Sequence, residues 1–91
     1  MTRLEKDREE IDQIDAALAG LFEKRFTVVR DIIDYKIENR LPILDSGRES
    51  EIIEKSSSCV QDDDIRMYFK RFYRSMLELS REFQEEILKE K

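Results

Sequence analysis

The chain has 91 residues, 43% of them charged, with a net charge of −5, no histidine and a single cysteine, Cys59. That length makes one small domain over residues 1–91; the missing histidine excludes histidine general-base catalysis and a Cys/His nucleophile pair, with a single cysteine the common zinc patterns go too, and one cysteine cannot form a disulfide within one chain. Two glycines and one proline indicate an all-α fold with few connections; the charged start and broken apolar runs argue against a signal peptide or membrane span, hence for a cytoplasmic protein, and the interleaved charges argue against nucleic-acid binding.

The first periodic segment runs from Leu4 to Glu38. Leu4, Ile11, Leu18 and Ile32 recur in sevens, with Ile14, Leu21, Val28 and Tyr35 as the second seam, and the pattern predicts one long helix. Gly20 costs it ~1 kcal/mol relative to alanine but does not break its phase. Leu41 precedes Pro42, which disfavours helix there and sets the end. Such a helix is roughly 50 Å long, whereas a compact chain of this size is about 30 Å across. Its far half needs cover from elsewhere, and an intertwined homodimer of helical bundles is the expectation.

A connector from Asn39 to Ser46 leads into a short helix over Gly47–Ser57, with Ile52 and Ile53 facing inward. Ser46 with Glu49 fits a capping box, and Asp45 is the alternative N-cap. The polar stretch from Ser56 to Asp64 is a second loop of no firm pattern. A third helix begins near Asp62-Asp63-Asp64, where acids suit a helix N-terminus. Its apolar stripe is Ile65, Phe69, Phe72, Met76, Leu79, Phe83 and Ile87. The layout is three helices, long, short and long, with no internal repeat; the chain reads as free-standing.

Arg25 occupies a seam position where an aliphatic residue belongs. A guanidinium keeps its charge and is costly to bury alone, so an anion is required there, supplied by the protein or bound by it. Lys36 differs from Arg25 by about 20° in direction and lies roughly 16 Å along the axis, so both arms can converge on one small ligand. Arg8 is about 25 Å up the axis in another sector and reaches a pocket only across an antiparallel dimer. Ser80 and Gln84 share one face at the edge of the third helix's stripe. With Arg48 and Glu49 at the start of the short helix, these groups outline a cavity suited to a small dianion bearing a hydroxyl.

The order Arg8, Arg25, Lys36, then Asp45-x-x-Arg48-Glu49, then Ser80-x-x-x-Gln84, with spacings of seventeen and eleven between the first three cations, resembles the active-site pattern of the all-helical chorismate mutases. The resemblance spans nearly the whole chain, and it is the ordered set that is specific. It implies conversion of chorismate to prephenate, on the route to phenylalanine and tyrosine, by a [3,3] rearrangement that needs no nucleophile, metal or cofactor. It further implies that Arg25, Arg48 and a partner protomer's Arg8 grip the two carboxylates with help from Ser80. Lys36 and Gln84 would donate to the ether oxygen, and Glu49, with Asp45, would receive the ring hydroxyl.

Each residue also has a plainer reading. Arg25 alone sets helix register or snorkels; Arg8 and Lys36 alone are solvated helix cations; Glu49 and Asp45 are caps; Ser80 and Gln84 are the polar margin of an amphipathic helix. Tyr68 and Tyr73 read as packing or surface residues, and Cys59 as a free thiol. Two other functions stay open: an isochorismate–pyruvate lyase on the same scaffold, and a non-enzymatic dimerisation module in which Arg25 meets Asp15 or Glu23 of a second copy.

Overall fold

In a computed structural model that describes all 91 residues, the chain forms three helices: α1, Arg3–Glu38; α2, Ser46–Ser57; and α3, Asp63–Glu90. The long, short, long layout expected from the periodicity is the one observed, with boundaries within a residue or two.

Local chemistry accounts for the ends. Thr2 caps α1, its hydroxyl oxygen accepting from the Glu5 amide at 3.1 Å. At the other end the Leu41 amide donates to the Lys36 carbonyl and the Arg40 amide to the Ile37 carbonyl, a Schellman closure. Arg40 holds the left-handed position of that turn, φ 55°, where glycine is the unstrained choice. Asp45 caps α2, accepting from the Arg48 amide at 3.0 Å. The capping box expected between Ser46 and Glu49 does not form: with Asp45 as cap, Glu49 falls one place beyond the box position and its carboxylate is free to go elsewhere. Asp62 caps α3, accepting from the Asp64 amide. The loop before it is tied down by Arg66, which donates to the Val60 carbonyl at 2.8 Å and the Gln61 carbonyl at 3.2 Å.

α3 packs against both other helices, whereas α1 and α2 do not pack against each other. α1 and α2 therefore stand apart over α3, and the space between them is open. The joint of α1 and α3 is aromatic: Phe22 stacks on Phe26 at 4.4 Å, and Phe26 meets Phe83 at 5.2 Å. Only four apolar residues are buried: Val29, Ile33, Tyr73 and Leu77.

The stripe expected on α3 is displaced around the helix. Ile65, Phe72 and Leu79 are exposed, while Tyr73, Leu77, Ser80 and Gln84 are buried. Phe69, Met76, Phe83 and Ile87 lie half-buried between the two sets. α3 thus has two faces to cover, and one of them has no cover from its own chain. The same holds for α1, in which every residue up to Lys24 is exposed. The molecule extends 55 Å along its longest axis, and its radius of gyration is 16.5 Å, against about 12 Å for a compact chain of this length. No helix is long and apolar enough to cross a membrane.

Candidate active site

The opening between α1 and α2, floored by α3, is a cavity of about 600 Å³, within the ordinary range of small-molecule sites. Arg25 and Lys36 enter from α1; Asp45, Arg48 and Glu49 from the cap and first turn of α2; Ser80 and Gln84 from α3. Seven of the eight residues singled out in the sequence thus line one cavity. Arg8 does not: it sits on the exposed first half of α1. Apolar walls come from Leu21, Val28, Val29, Ile32, Ile43, Ile52 and Leu77.

Four cations line the space, Lys24, Arg25, Lys36 and Arg48, against two carboxylates, Asp45 and Glu49. The excess is positive in a chain whose net charge is −5. Low-dielectric walls strengthen that local field, so the cavity favours an anion although the molecule as a whole does not.

Lys36 is held from two sides. Its Nζ donates to the Ile43 carbonyl at 2.7 Å and to Gln84 Oε1 at 3.1 Å. The turn that closes α1 brings Ile43 back over the helix, so chain reversal and lysine placement are one event. Lysine can only donate, which fixes the orientation of the Gln84 amide: its oxygen faces Lys36 and its NH₂ turns the other way, toward Ser80. The Nε2 contacts to Ser80, 3.3 Å to the carbonyl and 3.4 Å to Oγ, are long. Two donors, an ammonium and an amide, therefore stand side by side with capacity to spare.

Arg25 packs its guanidinium over the Tyr73 ring at 5.7 Å. Its Nη1 is buried and has no hydrogen-bond partner, the one such side-chain atom in the chain. Buried donors are almost always satisfied, so this atom marks a place for an acceptor. Arg48 is more open, reaching Glu51 at 3.4 Å with both side chains over half exposed. Asp45 is committed as the α2 cap even though it lines the cavity. Glu49 is held by Arg81 of α3 in a part-buried ion pair.

Arg81 and Lys24 were not picked out in the sequence, and Tyr73, read there as a packing or surface residue, packs in the core against Arg25. Tyr73 and Leu77 continue upstream the three-and-four spacing of Ser80 and Gln84, a signal that pointed to one face. Nothing in the sequence singles out Arg81 or Lys24 from neighbouring surface cations.

Fold and cavity together define a helical protein whose pocket combines an excess of cations with neutral donors. A family model for chorismate mutase type II matches residues 7–85, and the chain belongs to that family, the all-helical class of chorismate mutases, whose reaction is an intramolecular isomerisation. No curated protein and no solved structure matches the chain.

Proposed function

We propose that this chain converts chorismate to prephenate in a site completed by a second copy of itself. The observation that carries the reading is the unpaired, buried Nη1 of Arg25, in a cavity with an excess of cations. A buried cationic donor calls for an anionic acceptor, and the substrate of this family is a dianion.

Arg25 and Arg48 grip the carboxylates of chorismate, Ser80 adds a hydroxyl, and Arg8 of the second copy contributes a further cation. Fixing both carboxylates selects the compact conformer in which the carbons to be joined approach each other. As the ether C–O bond breaks, negative charge grows on its oxygen. Lys36 and the Gln84 NH₂ donate to that oxygen, and because Ile43 already orients Lys36, little reorganisation is needed at the barrier. Glu49, and Asp45 to the extent its cap allows, accept from the ring hydroxyl.

The test is a cofactor-free assay of purified protein, following the loss of chorismate absorbance and identifying the product as phenylpyruvate after acid treatment. Saturable prephenate formation is expected, and Lys36→Ala should lower kcat by roughly 10²-fold or more while circular dichroism stays unchanged. Turnover of isochorismate in place of chorismate would make the protein a lyase; silence on both would leave a helical dimerisation module.

A further inference from the structure

The Arg81–Glu49 ion pair joins α2 to α3 at the edge of the cavity, with the Arg81 side chain 30% exposed and that of Glu49 23% exposed. Arg81 does not line the cavity; Glu49 does. The guanidinium reaches Glu49 through Nη1 to Oε1, and the second carboxylate oxygen has no protein partner. α2 touches no helix other than α3, and its other cross-helix tie is the looser Lys70–Glu54 pair at 3.4 Å, so Arg81 is the main polar anchor of the helix that carries Arg48 and Glu49.

Charge bookkeeping shows what the pair achieves. A carboxylate loose in this cavity has four cations to turn to, Lys24, Arg25, Lys36 and Arg48. Each such pairing would neutralise a cation intended for the bound anion and leave the carboxylate facing away from a neutral ligand group. A carboxylate has two oxygens, and satisfying one from outside the cavity leaves the other as an acceptor directed at the ligand. We propose that Arg81 is a positioning residue that holds Glu49 off the anion-binding cations and presents its free oxygen to a hydroxyl of the bound substrate. The proposal rests on the reading of Glu49 as the hydroxyl acceptor in the site described above.

The experiment is a double-mutant cycle on chorismate turnover with Glu49→Gln, Arg81→Met and the pair, kcat and KM being measured separately and melting temperature recorded for each. The expected result is a rise in KM of the order of tenfold for Arg81→Met, with no further rise when it is added to Glu49→Gln. Arg81→Lys, which keeps the charge, is expected to recover most of the loss and provides the measurement should Arg81→Met not fold. Equal losses from Arg81→Met in both backgrounds, tracking the fall in melting temperature, would overturn the proposal and make the pair a structural strut. A costly Glu49→Gln beside a silent Arg81→Met would also overturn it while leaving the role of Glu49 intact. A silent Glu49→Gln would remove that role and the proposal with it.

Discussion

Arg25 and Lys36 show how differently two cations of one helix are treated. Lys36 has its partners in the chain, Ile43 and Gln84, whereas Arg25 has an aromatic face and an unpaired buried Nη1. A buried donor without an acceptor costs about 1–3 kcal/mol. Replacing Arg25 by leucine is therefore expected to stabilise the protein, raising Tm by roughly 4–8 °C per kcal/mol recovered, while abolishing chorismate turnover. A fall in Tm together with lost activity would show that Arg25 already has a partner, supplied by a second chain. Gln84 gives a second prediction at this scale. In Gln84→Glu the carboxylate still accepts from Lys36 but has no proton to donate, so kcat/KM should drop about 10²-fold at neutral pH and recover as the pH is lowered toward protonation of the new carboxyl. The unmodified protein, with an amide there, is expected to give a flat profile across neutrality. A variant as active and as flat as the parent would remove Gln84 from the reaction.

At the scale of the elements, the junction after α1 links chain reversal to the site. The Schellman closure turns the chain at Arg40 and returns Ile43 to Lys36, at the cost of a non-glycine residue in the left-handed region. Arg40→Gly relieves that strain and should stabilise the fold by about 1 kcal/mol with kcat and KM unchanged, read by thermal melting and the same assay. A loss of activity would mean that Arg40 does more than terminate a helix. The helix boundaries were legible because short-range chemistry sets them: Pro42 after Leu41 and the acids ahead of α3 act within one turn. The rotation of α3 was not. Seven apolar residues gave one stripe, but the buried face is turned around the helix from it: three of the seven are exposed and four half-buried, while Tyr73, Leu77, Ser80 and Gln84 are buried. Ser80 and Gln84, read as the margin of that stripe, are at the centre of the buried face, which is why they reach the cavity at all.

At the scale of the whole molecule, the exposed apolar surface is out of proportion to the core. Four buried apolar residues stand against eighteen exposed large hydrophobic ones, distributed along both long helices. The first 24 residues are all exposed, and the shape is a slender body only 15 Å across its thinnest direction. A second copy laid along α1 would cover Leu4, Ile11, Ile14 and Leu18 and bring Arg8 of each copy toward the cavity of the other. Sedimentation at micromolar concentration is expected to give a dimer whose Tm rises with protein concentration. Leu18→Glu, placing a charge on the exposed seam, should shift it toward monomer and lower turnover together with association. A fully active monomer would sink both the dimer and the cross-chain role of Arg8.

What the sequence determined by itself was the set of helices and the demand for an anion. Heptad spacing, caps and breakers are local or periodic properties, and a guanidinium in an apolar seam poses the same energetic problem in any arrangement. Seven of the eight candidate residues meet at one cavity because helical spacing already placed each on a definite face. Tertiary structure alone decided which faces meet. Periodicity records that a surface is to be buried but not by what, so it could not separate the two faces of α3, free Glu49 from its expected capping box, or distinguish Arg81 from other surface cations. Those outcomes depend on α1 and α2 standing apart over α3, an arrangement of elements distant in sequence that no local pattern encodes.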